Sequence, residues 1–161
     1  MSNNLDSLNV PNEWHRFLYR SVLLEWETSL SDRQKFPRFS PRKPICGVEL
    51  VKVDALKDME AIILRIGVSS TPVERLIFYS TGTALKDLFG LIRNCVAHAH
   101  YSCPRRGWIE FHHVYQGKTK LAGLVKFEKL RDIVAAIALQ EAISSGGSKR
   151  KRCSDSTGQE K

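Results

Sequence analysis

The chain has 161 residues, a length that predicts one domain with short extensions. It is 42% hydrophobic and 26% charged with a net charge of +8, a balance that is typical of a globular protein and permits, without proving, a nucleic-acid partner. No apolar run is long enough to span a bilayer and no secretory signal is visible, so a cytoplasmic protein without a membrane partner is expected.

The first third of the chain predicts one helix between two less regular segments. Residues 1–12 are expected to form a flexible arm. From Trp14 to Leu30, apolar residues recur every three or four positions, which predicts an amphipathic helix. The basic, proline-containing residues 31–44 predict a loop. Residues 47–53 alternate in polarity, which favours a short strand with a loop as the alternative, so the fold of residues 31–53 stays open.

Three helices are predicted in the middle of the chain. The first runs from an N-cap at Asp54 to a stop at Gly67. The capping-box pattern of residues 71–74 predicts a short second helix that ends near Gly82. The third and longest helix is predicted for Thr83–Ala99, and Pro104 closes it.

The last third predicts a hairpin, a helix and a tail. Residues 108–127 read as a β-hairpin that turns near Gly117, and Glu128–Ile143 as the last helix. Residues 144–161 are polar, glycine-rich and basic, which is typical of a disordered tail. The expected fold class is therefore mainly α: one domain over residues 13–143, with about four helices and a hairpin inserted before the last.

The segment LIRNCVAHAHY places unusual polar residues on an otherwise apolar helix. Asn94 and His98 are four positions apart and share a face, whereas Arg93 lies about 140° around the axis from His98. A histidine that exchanges protons near neutral pH, beside a guanidinium that binds phosphate, suits phosphoester chemistry. The amide can orient the histidine or bind a phosphate oxygen. The ordinary alternative is that these residues cap helix carbonyls and pair with a local carboxylate.

The arrangement Arg93-Asn94-x-x-x-His98, followed by a hairpin and a final helix, resembles the HEPN superfamily of small helical-bundle proteins found in toxins and antiviral defence. The resemblance covers roughly residues 81–143. It implies a metal-independent endoribonuclease that acts as a homodimer with a composite site and no cofactor. In that site, His98 is the general acid or base, Arg93 holds the phosphate and Asn94 supports the site. It also implies RNA as substrate, and an antitoxin or regulatory protein as a candidate partner.

Three residues just beyond the motif are candidate RNA contacts. Tyr101 lies three positions after His98, within reach of the same helical patch. Arg105 and Arg106 follow directly and are expected to line a groove for the RNA backbone, with an exposed loop as the alternative. A non-catalytic RNA-binding or partner-binding module is the alternative function. A third reading is a structural protein in which Arg93 and His98 stabilise a dimer interface.

A metal site is the rival interpretation of the same segment. The candidate ligands would be Cys95, His98, His100 and Cys103. Their spacing matches no common zinc pattern, so no metal is predicted. Because His112 and His113 point to opposite faces of a strand, at most one can join any single site, and an ordinary sheet surface is expected for the pair.

Overall fold

The computed structural model describes residues 9–66 and 72–139. Within these ranges the chain forms a mixed α/β fold in which helices cover both faces of a five-stranded sheet. The helices are α1, which begins as Asn12–Phe17 and continues as π-helical turns over Leu18–Leu24 and Trp26–Leu30, α2 (Met59–Ile66, after a 3-10 turn at Leu56–Asp58), α3 (Ala84–Ala97) and α4 (Phe127–Ala138). The strands are β1 (Glu49–Val53), β2 (Arg75–Tyr79), β3 (Tyr101–Arg105), β4 (Trp108–Tyr115) and β5 (Lys118–Lys126).

The sheet order is β1-β2-β5-β4-β3, with β1 and β2 parallel and every other described pair antiparallel. Alternate residues of β2 belong to two hydrophobic clusters on opposite faces of the sheet. Leu76 and Phe78 pack in the large cluster with α1, α3 and α4, whereas Ile77 packs with Met59 of α2 on the opposite face. From the strand directions, the final residues of β2 and β4 and the first residues of β3 and β5 lie at one end of the sheet.

Helix α3 crosses the sheet near that end. It follows β2 and precedes β3, two strands that β5 and β4 separate, and its 14 residues span about 21 Å. Three strand spacings amount to roughly 14 Å, so the helix is long enough to bridge them. Its buried face, which includes Leu88, Phe89, Ile92 and Cys95, packs against the sheet. This crossing carries the second half of α3 to the start of β3.

The expected mainly α helical bundle is wrong. Arg75–Tyr79 is a central strand, although the capping-box pattern of residues 71–74 predicts a helix there. Because helices cover both faces of β2, its three middle residues are all buried, and such a short apolar run has no strand alternation to identify it. Pro104 lies inside the edge strand β3 and does not end the long helix, which stops at the C-cap His98.

Several predicted elements are confirmed. The first helix, the strand within residues 47–53, the long helix α3 and the last helix form as expected. The hairpin also forms and turns through Gln116 and Gly117, both of which have positive φ as a two-residue turn of type I′ requires. The predicted helix over Asp54–Gly67 is shorter, because a 3-10 turn precedes α2.

Some expectations concern parts of the chain that are not described. Most of the predicted N-terminal arm, the ends of the two helices predicted to reach Gly67 and Ile143, and the basic tail over residues 144–161 lie outside the described residues. Across residues 9–66 and 72–139, no helix has the length and apolar character needed to cross a bilayer.

Candidate active site

Helix α3 ends in a Schellman motif that positions two histidines. His98 is the C-cap residue, and Ala99 follows in the left-handed conformation with φ 55°. The N–H of His100 donates to the carbonyl of Cys95 at 2.8 Å, and the N–H of Ala99 donates to that of Val96 at 3.4 Å. This tight reversal places His98 and His100 on either side of the turn into β3.

Three histidines form a cluster at this turn: His98, His100 and His113. The Nδ1 atoms of His100 and His113 are 3.1 Å apart, within hydrogen-bond distance, and the two ring centroids are 5.4 Å apart. The ring centroid of His98 lies 5.8 Å from that of His100. His113 is only 5% exposed, whereas His98 is exposed to solvent. Within the histidine cluster, His113 is therefore buried, His100 contacts both of the other rings, and His98 is open to solvent.

The environment keeps the inner two histidines neutral. Burial lowers the pKa of His100, and the charges of His98 and His112 lower it further. Burial also lowers the pKa of His113, with additional contributions from its histidine neighbours and Lys120. Both values fall below the ordinary 6.5, so both rings are mainly neutral at pH 7. Within the pair, one Nδ1 donates its hydrogen and the other accepts it.

Arg93 and Asn94 face a different neighbour. The Nη1 of Arg93 donates to the Oδ1 of Asn94 at 3.0 Å, and its Nη2 forms an ion pair with the carboxylate of Glu27 on α1. The buried Nε of Arg93 has no hydrogen-bond partner among the described residues. Within these ranges no hydrogen bond joins Arg93 to His98 either. A single copy of the chain therefore directs the two motif residues toward different surroundings.

The candidate RNA contacts are spread along β3. The Nδ1 of His15 and the hydroxyl of Tyr101 are 2.6 Å apart, and burial raises the pKa of Tyr101. Arg105 lies at the far end of β3, where its guanidinium carbon is 5.3 Å from the centre of the Trp108 ring. Arg106 is exposed in the following turn. Since β3 leads away from the histidine cluster, Tyr101 lies next to it but the two arginines do not.

The rival set of metal ligands is not assembled. Cys95 is fully buried in the core, where burial raises the pKa of its thiol far above the ordinary value. Cys103 is half-buried, and its thiol lies 3.2 Å from the carbonyl oxygen of Arg105. In the part of the chain that the structure describes, no three His, Cys, Asp or Glu residues are arranged to hold a metal ion.

Comparison with known proteins adds no relative: no family model, no curated protein and no solved structure matches the chain. The resemblance to the HEPN superfamily stays a prediction that rests on the motif over residues 93–98. The helical bundle which that resemblance implies is not the fold observed.

Three residues of this region were not among the predicted site residues: His100, His113 and Glu27. His100 was considered only as a metal-ligand candidate, yet it lies at the centre of the histidine cluster. His113 was expected on an ordinary sheet surface, which is wrong because it is buried against His100. Its position was detectable, since it continues the buried alternation of Ile109 and Phe111 in β4. Glu27 carries no such signal, because it lies 66 positions from Arg93 on a separate helix.

Proposed function

We propose that this protein is a metal-independent endoribonuclease that acts as a homodimer, with the histidine cluster as its acid–base centre. The observation that carries the proposal is the exposed His98 beside the hydrogen-bonded, neutral pair of His100 and His113. Cleavage by the ribose 2′-hydroxyl requires one group to accept a proton and another to donate one. Neighbouring histidines in different environments suit these two tasks.

The hydrogen bond within the pair assigns a role to His100. When Nδ1–H of His100 donates to Nδ1 of His113, the Nε2 of His100 carries a free lone pair. That nitrogen accepts the proton of the 2′-hydroxyl as its oxygen attacks the phosphorus. His98 donates a proton to the departing 5′-oxygen. The products are a 2′,3′-cyclic phosphate and a 5′-hydroxyl, with no proton or charge left unaccounted for.

Arg93 is proposed to contact the phosphate from the second copy of the chain. A guanidinium has five N–H donors, and the bonds to Asn94 and Glu27 use only two of them. In one copy Arg93 is directed toward α1 and not toward His98, so a composite site is the arrangement that brings both to one phosphate. Asn94 fixes the guanidinium through its Oδ1.

The ion pair between Arg93 and Glu27 supports a second candidate function. A carboxylate at the guanidinium offsets its charge and weakens its hold on a phosphate that carries developing negative charge. In this second candidate function the ion pair keeps Arg93 from stabilising the transition state, and the protein binds RNA through other residues without cleaving it. The partner protein implied by the motif stays a prediction in either case.

Cleavage of a labelled single-stranded RNA in the presence of EDTA, with the product ends identified, tests the proposal. We expect wild type to leave 2′,3′-cyclic phosphate ends. His98→Ala and His100→Ala should each lower the cleavage rate by about 100-fold or more. Glu110→Ala is the matched control because it removes an exposed titratable side chain from the same strand as His113, and it should stay within about threefold of wild type. Equal rates for wild type and His98→Ala would contradict the acid–base role, and RNA binding without cleavage would favour the second function.

A further inference from the structure

A cleft of about 330 Å³ lies beside the motif, where α3 passes α1, the end of β2 and the start of β5. Its lining includes Trp26 of α1, Lys86, Gly90 and Asn94 of α3, and Lys120 of β5. The volume is at the lower end of the range for small-molecule sites, which suits a ligand the size of one nucleotide. We call this space the Asn94 cleft.

One wall of the Asn94 cleft is an aromatic ring held in a fixed position. The Trp26 ring is nearly parallel to that of Phe89, at 14° with centroids 6.0 Å apart. It also lies over Gly90, where an added Cβ would be 3.1 Å from the Trp26 Cη2 atom. Glycine at this position therefore allows the ring to approach α3 closely. A fixed indole at the edge of a cleft is the kind of surface on which unpaired bases pack.

Asn94 provides donors toward the same space. Its Oδ1 accepts the hydrogen bond from Arg93, which assigns the amide orientation. The two N–H groups of Nδ2 have no protein acceptor among the described residues. Base edges carry carbonyl and ring-nitrogen acceptors that such an amide recognises. Asn94 thus joins the Asn94 cleft to Arg93.

Two lysines give the cleft its charge. The Nζ of Lys86 is 3.3 Å from the carbonyl oxygen of Arg33, and that of Lys120 is 4.7 Å from the centre of the Tyr115 ring. Among the described residues, neither ammonium forms an ion pair with a carboxylate. Asp87 also lines the cleft, but its carboxylate accepts hydrogen bonds from the Ser80 hydroxyl and the backbone N–H of Gly82, so the lining carries two positive charges and one negative charge. Two ammonium groups with spare donors favour an anionic ligand.

We propose that the Asn94 cleft binds one unpaired nucleotide of an RNA chain, with the base against Trp26 and Asn94 and the adjoining phosphate between Lys86 and Lys120. The proposal deepens the proposed function, and it rests on that function for the choice of RNA as the polymer. A free nucleotide shares this chemistry and is the other source of ligand. RNA is favoured because Asn94 is hydrogen-bonded to the arginine proposed to hold the scissile phosphate.

The test measures binding of a fluorescein-labelled, fully 2′-O-methylated eight-nucleotide RNA, which the 2′-hydroxyl mechanism cannot cleave. Anisotropy is recorded over a range of salt concentrations for wild type, Asn94→Ala and the double variant Lys86→Ala/Lys120→Ala. The control double variant, Lys57→Ala/Lys129→Ala, removes the same charge from residues outside the cleft. Quenching of tryptophan fluorescence in wild type and Trp26→Phe provides a second readout, and thermal melts check that each variant folds.

We expect the cleft double variant to bind at least tenfold more weakly than the control double variant. Its slope of log K against log salt should be smaller by about 1.4, the value for two lysines on a single strand. Asn94→Ala should weaken binding about fivefold, as loss of one hydrogen bond predicts. RNA should quench wild type but not Trp26→Phe.

Three results would overturn the assignment. Equal binding by the two double variants, or full quenching in Trp26→Phe, would place the RNA elsewhere. Binding of a mononucleotide as tightly as the RNA would make this a free-nucleotide site. Because the probe is not cleavable, failure of catalysis and failure of this subsite are separate outcomes.

Discussion

At the scale of single residues, the turn after α3 depends on a backbone conformation that alanine adopts at a cost. Ala99 has φ 55°, in the left-handed region where a Cβ is disfavoured by roughly 1–2 kcal/mol. Most helices that end in a Schellman motif have glycine at this position. The strain is localised at the residue that places His98 and His100 at the start of β3.

Ala99→Gly should therefore stabilise the protein, by about 1 kcal/mol, because it removes the Cβ penalty and keeps the hydrogen bonds of the motif. Ala97→Gly is the control, since Ala97 is an exposed residue of the last helical turn and glycine there should destabilise by about 0.5–1 kcal/mol. The measurement is chemical denaturation of both variants. A loss of stability in Ala99→Gly would contradict the assignment of the turn.

The histidine pair makes stability depend on pH in a defined direction. His100 and His113 have lowered pKa values when folded, so below about pH 6.5 the unfolded chain binds more protons than the folded one. Stability is then lost as the pH falls through the ordinary histidine range toward the lowered values. We expect the free energy of unfolding to drop between pH 7.5 and pH 5.5, and to drop less in His113→Gln, which cannot titrate. The same drop in His113→Gln as in wild type would exclude this pair as the cause.

Residue patterns predicted part of this arrangement. The position of Asn94 and His98 near the end of a helix followed from the predicted bounds of α3, and the separation of Arg93 from His98 followed from helix geometry. The pairing of Arg93 with Glu27 did not follow, because an ion pair between two helices depends on how the helices pack. The ordinary alternative for Arg93, pairing with a local carboxylate, predicted an ion pair, but the carboxylate is not local because Glu27 lies 66 positions away on another helix.

At the scale of secondary-structure elements, Arg33 connects the segment after α1 to the end of α4. It is 8% exposed, and its Nε and Nη1 donate to the carbonyls of Lys35 and Ala138. Ala138 is the last residue of α4, where carbonyls lack helical partners and the helix dipole favours a cation. Charge clustering alone groups Arg33 with the solvent-exposed basic residues around it, yet its role is structural.

Arg33→Ala should destabilise the protein by about 2 kcal/mol, since it leaves the carbonyls of Lys35 and Ala138 without their charged donor. Arg38→Ala is the matched control, because Arg38 is an exposed arginine in the same basic segment and should change stability by less than about 0.5 kcal/mol. Thermal melts of the two variants distinguish them. Equal melting temperatures would contradict a stabilising role for the Arg33 hydrogen bonds between the segment after α1 and the end of α4.

Two strands escaped sequence-based prediction for physical reasons that differ. Strand β2 is apolar on both faces and too short to be told from a helix. Strand β3 contains Pro104, which is tolerated because β3 lies at the sheet edge. Gly123 was the available clue to the β2–β5 pairing, since a Cβ there would come within 2.2 Å of the Arg75 carbonyl oxygen. When β2 and β3 are not recognised as strands, the sequence shows only the hairpin of β4 and β5. A sequence with one hairpin among predicted helices indicates an insertion in a helical protein.

At the scale of the whole molecule, the sheet gathers the candidate groups at one end. The histidine cluster lies at the start of β3 and the end of β4, and the Asn94 cleft at the end of β2 and the start of β5. Helix α3 connects the two and carries Arg93 on the side that faces α1. A second copy of the chain is what the proposed site needs to bring Arg93 and His98 to one phosphate.

Subunit mixing tests the proposed composite ribonuclease site most directly. Arg93→Ala and His98→Ala chains with different tags are co-expressed, the mixed dimer is isolated by two-step affinity purification, and RNA cleavage is measured with EDTA present. Each variant dimer alone should be inactive. The mixed dimer should recover about half of the wild-type rate, because in a symmetric dimer one of the two equivalent Arg93–His98 pairings is intact. A mixed dimer as inactive as its parents, or a wild-type chain that cleaves RNA as a monomer, would contradict the composite site.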